Sequence, residues 1–459
     1  MAKGYLPYNP EQQLLLPTDM RKWVPEGHLA LFVLDLVREL DLSGFYQPHR
    51  EKDSRGRAGY DPMMMALLLY GYCTGMRSSR RIEMATYEDV AFRLLSGDQH
   101  PDHDSIASFR RQHLSALAGL FHQALKLCAG AGLVKMGHVS LDGTKMKAAA
   151  SKHKAMSYER MKEAETKLEA QIDELMAAAE QADTEEDARY GKGKRGDELP
   201  EELKRRESRL QKIREAKAAL EAQAREKAEE REREAAESGK KPSGRPAQTP
   251  DPEQVQPDPK AQRNFTDPDS RIMPEGANKG SFLQGYNAQA VVDAEAQIIV
   301  AADVTQQAND KQQLVPMVML ACENMGGISP DKVSADAGYF SEASITDPRL
   351  DGMDLYVPPN RQKHGEAPQK TPGETGKLPK FSDVMRAKLA TPEGEAVYKR
   401  RKAIVEPVFG QIKHAQGIRG LLLRGLELAK AEWQLICTAH NLRKLFVSGL
   451  RSSLTPQPT

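Results

Sequence analysis

Apolar residues recur at helical spacing through the first 135 residues of the chain. Leu29 to Leu40 is amphipathic, and Asp61-Pro62 is suited to cap a second, buried helix. A short helix from Ile106 to His113 carries the adjacent arginines Arg110 and Arg111. Short helices that end in one with paired basic residues are typical of a helix-turn-helix DNA-binding module. An ordinary helical domain with a solvated arginine pair has the same pattern, so both interpretations stay open.

A second pattern, of long and highly charged helices, occupies residues 155–240. Apolar residues there follow a 3/4 spacing in two stretches, separated by a polar segment at 183–198. This spacing predicts two long helices packed as an antiparallel, coiled-coil-like hairpin, although Arg206 and Lys217 fall on the seam. The six prolines of residues 241–260 predict a linker after it.

Strand patterns flank this insertion on both sides. One strand is predicted before it, and a series of strands with one helix is predicted after the linker. The predicted strands cover 138–142, 285–292, 297–305, 332–336 and 354–357, and the helix covers 310–325. Their order predicts one α/β domain formed by 136–150 and 261–450, with a short tail at 451–459. Tyr286, Asn287 and Gln289 lie along the second of these strands and either face the crevice of the domain or pack inside it.

The charge of the chain is balanced overall but unevenly distributed. Lys and Arg number 66 against 65 Asp and Glu, which gives a net charge of +1 and at first argues against nucleic acid as a partner. Residues 161–240, however, carry 18 basic and 23 acidic side chains (−5), and residues 381–459 carry 13 and 6 (+7). The total is therefore an average over opposed segments, and the basic C-terminal segment is suited to bind phosphates.

Two composition features bear on location. The start of the chain lacks the apolar core of a signal peptide, and the apolar run 63–70 is too short to span a bilayer. The four cysteines form no metal-binding or disulfide pattern. We therefore expect a cytoplasmic protein without a membrane partner.

Three acidic residues stand out as candidates for chemistry. Asp142 and Asp336 each end a predicted strand, where an open α/β sheet exposes side chains to its ligand crevice, although Asp-Gly is also a common turn. Glu406 shares a predicted helix face with Lys402 and Lys413, as a surface residue in a salt bridge also would. Carboxylates converging from two strands and a helix are suited to bind a pair of hard divalent cations, which activate phosphodiester cleavage.

The order and spacing of several motifs resemble those of a known family. The motifs include Asp142 to Lys147, Gly285 to Gln289, Ala335 to Tyr339 and Val405 to Gly410, preceded by an N-terminal part that includes Asp102 to Ser105 and Phe109 to Arg111. Over about 5–150 and 260–447 the chain resembles the DDE transposases of bacterial insertion sequences, in the branch called the eleven-eighty-two family. This resemblance implies a ribonuclease H-like catalytic domain preceded by an all-α DNA-binding domain.

The resemblance also implies roles for particular residues. Asp142, Asp336 and Glu406 would form the catalytic triad and bind two Mg²⁺ ions, with Mn²⁺ as an alternative. Related transposases carry a Tyr-Arg-Glu-Lys signature on the glutamate helix, and Tyr398, Arg401 and Lys413 match it in type around Glu406. Arg401 lies one residue too far from Glu406, and Lys402 has the expected spacing. The candidate DNA contacts are therefore Tyr398, Arg401, Lys402, Lys413, Arg110 and Arg111.

The implied activity is cleavage at the terminal inverted repeats of an insertion sequence, followed by strand transfer into target DNA. Pairing of two DNA ends implies a homodimer, associated with the nucleoid of a bacterial cell. Two alternatives remain. One is a non-catalytic DNA-binding protein, a repressor or architectural factor, on a decayed transposase scaffold. The other is a structural coiled-coil protein.

Overall fold

The computed structural model describes residues 19–45, 65–190, 201–238, 255–275, 280–360 and 380–449. The predicted Asp61-Pro62 cap, most of the proline-rich linker and the tail lie outside these ranges. Among the described helices, none is long and apolar enough to cross a membrane.

The N-terminal part is helical, as predicted. Its helices are α1 (Leu29–Glu39), α2 (Met65–Thr74), α3 (Ser79–Glu88), α4 (Val90–Ser96), α5 (His103–Gln112) and α6 (Leu114–Gly130). Helix α2 is apolar on all sides and is buried from Met65 to Cys73, because it lies between α1 and the last helix of the chain. Helix α6 packs against the same C-terminal helix, so one hydrophobic core runs from the N-terminal helices into the α/β part.

The α/β part is built on a mixed sheet. Its strands are β1 (His138–Lys147), β4 (Arg271–Pro274), β5 (Phe282–Asp293), β6 (Ile299–Thr305), β7 (Lys332–Ala335) and β8 (Asp354–Tyr356). Strand β5 pairs antiparallel with β1, β4 and β6, whereas β1 pairs parallel with β7, and β7 with β8. The mixed α/β prediction is confirmed, and this order is compatible with a ribonuclease H-like arrangement.

The helices that follow β6 in the chain complete the α/β part. They are α9 (Leu314–Asn324), the short α10 (Glu342–Ile345), α11 (Phe381–Ala390), α12 (Pro392–Gly410) and α13 (Leu426–Val447), with a π-helical turn at Gln411–Ala415 after α12. Helix α12 packs on β1, β5 and β7, and α13 packs on β6. Helix α9 begins four residues later than the predicted Asp310, because Asp310 belongs to the polar cluster described below.

The charged insertion forms two packed helices, α7 (Tyr158–Tyr190) and α8 (Glu201–Ser238). Apolar side chains, among them Met161 and Ile213, form a separate small core between them. Lys217, expected to disturb the seam, donates to Glu165 at 2.7 Å and is accommodated there as an ion pair. Helix α7 continues through 183–190, predicted as an irregular segment, since its first glycine comes only at 191. Strands β2 (Ala155–Ser157) and β3 (Gln262–Asn264) pair at the base of the insertion.

Candidate active site

Strand pairing brings two of the predicted acidic residues side by side. In the parallel ladder Leu141 of β1 lies opposite Ala335 of β7, so Asp142 and Asp336 follow at the same level of neighbouring strands. Asp142 accepts a hydrogen bond from the Gly143 amide at 2.8 Å. Asp336 caps the turn after β7 by accepting from the Gly338 amide at 2.7 Å. Strand β1 continues to Lys147 because its pairing with β5 continues that far, so Asp142 lies within the strand and not at the end that the predicted strand 138–142 gave it. Asp336 directly follows the end of β7. Each carboxylate is therefore oriented by the backbone amide of a nearby glycine.

Arg401 contacts both Asp142 on β1 and Glu406 on α12. Its side chain is only 8% exposed; Nη1 lies 3.3 Å from Asp142 Oδ2 and Nη2 lies 3.8 Å from Glu406 Oε1. The side chain of Glu406 is 54% exposed, so it borders the solvent side of the cluster. A single guanidinium thus brings together carboxylates that are far apart in sequence.

The other members of the predicted signature lie around this contact. The Tyr398 ring lies 5.8 Å from the Arg401 guanidinium, and its pKa is raised by burial. Lys402 has the expected spacing but points to the exposed side of α12, whereas Arg401 reaches the acidic residues. Lys413, on the π-helical turn, donates to the Lys145 carbonyl at 3.1 Å and to the Thr144 hydroxyl, so it fixes the end of β1.

Negative charge is concentrated and poorly solvated at this site. Burial raises the pKa of Asp142 to about 6; Arg401 opposes this effect, and the nearby carboxylates of Asp336 and Asp310 add to it. The pKa of Lys145 is lowered by burial, although Asp310, Asp142 and Asp336 all attract its ammonium group. The site therefore favours positive charge among its carboxylates.

Asp310 is an acidic residue that the sequence patterns did not single out. It lies in the loop between β6 and α9, where Asn287 and Gln289 donate to its Oδ1 at 2.6 and 2.8 Å. Asn287 and Gln289 are fully buried and face this cluster, whereas Tyr286 points elsewhere and donates to Asp267. In the sequence, Asp310 is only an acidic residue in the loop after a buried strand. That pattern is too common to identify a functional site by itself.

The paired arginines of α5 have different environments. Arg110 is 4% exposed and donates to the Arg77 carbonyl at 2.9 Å and to the Ser79 hydroxyl. The Arg110 guanidinium is therefore buried between helices, and the prediction that it contacts DNA gains no support from this position. Arg111 is exposed, so it stays a candidate.

The donor set fits a hard divalent cation by its chemistry. Asp142, Asp336, Glu406 and Asp310 offer carboxylate oxygens, which Mg²⁺ and Mn²⁺ prefer. Within the described ranges, no three His, Cys, Asp or Glu side chains already stand together as a metal-binding group. Arg401 and Lys145 instead contact the carboxylates, which shows that cationic groups are accommodated among them.

Comparison with known proteins locates two domains on the chain. The family model described as transposase DDE domain matches residues 248–442, and the transposase domain DUF772 matches residues 18–112. The first match contains Asp336 and Glu406, whereas Asp142 precedes it, on the other side of the helical insertion. No curated protein and no solved structure matches the chain. Over these two ranges the chain is similar to transposase domains, one of them a DDE domain.

Proposed function

We propose that this protein binds the terminal inverted repeats of an insertion sequence of the eleven-eighty-two family and catalyses metal-dependent DNA cleavage and strand transfer. Asp142, Asp336 and Glu406 are the proposed catalytic carboxylates. The observation that carries the proposal is the double contact of Arg401 with Asp142 and Glu406, beside Asp336. This contact joins two carboxylates on separate elements, and Asp336 lies level with Asp142 on the neighbouring strand, an arrangement suited to two-metal phosphodiester chemistry.

The roles of the residues follow from their positions. Asp142, Asp336 and Glu406 would hold two Mg²⁺ ions, which when bound activate the attacking oxygen and stabilise the leaving oxygen. Arg401 orients the carboxylates of β1 and α12. The Lys413 ammonium group donates to the backbone carbonyl of Lys145 near the end of β1. Substitution of Lys413 would therefore displace Asp142 as well as change the local charge.

DNA contacts are proposed for the exposed basic residues. Lys402 is exposed on α12, one helical turn from Glu406, and would contact phosphates beside the cleaved bond. Arg111 on the surface of α5 would contact the repeat, with residues 1–135 as the DNA-binding domain. Two ends must be paired for strand transfer, so a homodimer on DNA is part of the proposal.

The alternative is a DNA-binding protein that has lost catalysis. The cluster argues against this alternative. Burial of the Asp142 carboxylate beside other carboxylates is energetically unfavourable, so such an arrangement is expected where the negative charge has a function. A decayed site would be expected to lose one of these charges.

The test is cleavage of a labelled duplex that carries an end of the element and its flanking DNA, in Mg²⁺. We expect cleavage at the end of the repeat by the wild type and by Asp351→Asn, an exposed aspartate outside the motifs. Asp142→Asn, Asp336→Asn and Glu406→Gln should bind the duplex but not cut it. Cleavage by all three variants would overturn the proposal, and wild-type binding without cleavage would favour the decayed scaffold.

A further inference from the structure

Asp310 lies close to the backbone beside both Asp142 and Asp336. A Cβ added at Gly143, next to Asp142, would lie 3.1 Å from Asp310 Oδ1. A Cβ added at Gly338 would lie 3.7 Å from Asp310 Oδ2 and 2.9 Å from Asp336 Oδ1. One oxygen of Asp310 therefore faces the Asp142 strand, and the other faces the turn that Asp336 caps.

Three buried side chains hold the Asp310 carboxylate in place. The side-chain amides of Asn287 and Gln289 both donate to Oδ1, and the Tyr339 hydroxyl donates to Gln289 Oε1. These three supporting side chains are fully buried, so the orientation of Asp310 is fixed by the sheet. Both amide donors bind Oδ1, so Oδ2, which faces the turn that Asp336 caps, is the oxygen that these amides leave available.

A second observation is an unpartnered buried acceptor beside Asp310. Asn287 Oδ1 is buried and has no hydrogen-bond partner among the described residues. It would lie 3.1 Å from a Cβ at Gly143, the same distance as Asp310 Oδ1. A buried acceptor without a donor is costly, and a bound cation or the water around it would satisfy it.

Lys145 places a positive charge in the same cluster. Its Nζ lies 3.8 Å from Asp310 Oδ1 and its side chain is largely buried. The carboxylates of Asp142 and Asp336 also attract this ammonium group. One lysine thus partly neutralises three acidic groups.

We propose that Asp310 is a fourth acidic group of the cation site and that Lys145 is its internal counter-ion, displaced when a divalent cation binds. This inference rests on the proposed function, since it assigns further residues to that site. Like charges repel strongly where water is scarce, so the ammonium of Lys145 and a divalent cation compete for the same carboxylates.

The two residues are predicted to change cation binding in opposite directions. Lys145→Gln removes the competing charge, so Mn²⁺ should bind about tenfold more tightly, which is about 1.4 kcal/mol. Asp310→Asn removes an attractive charge, so Mn²⁺ should bind about tenfold more weakly. Damage to the fold would weaken binding in both variants, so the opposite signs distinguish an electrostatic role from a structural one.

The experiment uses the full-length, metal-free protein, with free Mn²⁺ followed by electron paramagnetic resonance as MnCl₂ is added to millimolar concentrations. Lys135→Gln and Glu295→Gln are matched controls, because they break an exposed Lys–Glu contact of 2.8 Å away from the site. Circular dichroism verifies that each variant is folded. The controls should bind Mn²⁺ as the wild type does.

The outcomes separate this inference from the proposed function. Wild-type binding that Asp142→Asn abolishes, but that Lys145→Gln and Asp310→Asn leave unchanged or weaken equally, would overturn the inference alone. Absence of Mn²⁺ binding by the wild type would overturn the proposed cation site and the inference with it.

Discussion

Neutralising Asp142 is predicted to stabilise the protein in a pH-dependent way. The side chain is 22% exposed, and burial raises its pKa to about 6, against the ordinary value of 3.8 that the unfolded chain retains. The folded protein therefore holds this proton more tightly than the unfolded chain does. The stability that protonated Asp142 contributes is present below pH 3.8 and is lost as the pH rises through about 6.

The size of the effect follows from the difference between the two pKa values. A difference of about two pH units corresponds to about 3 kcal/mol at any pH above both values. Asp142→Asn imitates the neutral carboxyl group, and Arg401 keeps its contact with Glu406 in the variant. We expect the variant to be more stable than the wild type by up to about 3 kcal/mol at pH 8 and equally stable near pH 3.5.

The assay is urea unfolding followed by tryptophan fluorescence, at a series of pH values in the presence of EDTA. Trp433 is fully buried and reports on the junction of α13 with the sheet. Asp351→Asn is the control and should show no difference at either pH, because Asp351 is exposed. An Asp142→Asn variant no more stable than the wild type at pH 8, or a difference independent of pH, would refute the reasoning.

Three further predictions concern other parts of the structure. Glu432→Ala should lower the free energy of unfolding by about 3–5 kcal/mol in urea, because buried Glu432 accepts from Arg77 at 2.8 Å and from two backbone amides; a loss as small as that of exposed Glu427→Ala would contradict it. Gln297→Ala should cost about 1 kcal/mol, since Gln297 Nε2 donates to the carbonyl four residues before Pro407, which lacks the helical donor. In a Pro407→Ala background the cost should be smaller but should not vanish, because Gln297 Oε1 also accepts from Lys444 at 2.7 Å. An unchanged cost there would contradict the explanation. Gly143→Ala should abolish Mn²⁺ binding while circular dichroism stays unchanged, because its Cβ would clash with Gln289 Nε2, which holds Asp310, and would press on Asn287 and Asp310; normal binding would show that the cluster tolerates the displacement.

Local sequence patterns predicted most of the elements and singled out the three carboxylates proposed as catalytic, Asp142, Asp336 and Glu406. Strands alternate or run apolar over a few residues and helices repeat every three to four, so β1, β7 and the two insertion helices follow from periodicity. Asp336 follows the end of β7 as predicted, but Asp142 lies inside β1, because the pairing of β1 with β5 continues to Lys147. The two residues are level with each other because β1 and β7 pair in parallel, with Leu141 opposite Ala335. The elements could be predicted because strand and helix periodicity depends on residues that are near neighbours in the sequence.

The remaining residues depend on contacts that the sequence does not display. Arg401 stands at the unexpected spacing, yet its long side chain reaches Asp142 because α12 packs on β1. Arg110 resembles a surface arginine in the sequence, and only the packing of α5 against the preceding helices buries it. Asp310 follows a strand by five residues, and its role depends on side chains from β5.

The central claim is that carboxylates hold divalent cations against the DNA phosphate that is cut. Its most direct test is cleavage of an element-end duplex with sulfur in place of a non-bridging oxygen at that phosphate. Mg²⁺ binds sulfur poorly and Mn²⁺ binds it better, so cleavage should be strongly reduced in Mg²⁺ and recovered in Mn²⁺. Equal cleavage of the sulfur and oxygen duplexes in Mg²⁺, or cleavage that persists in EDTA, would contradict the account.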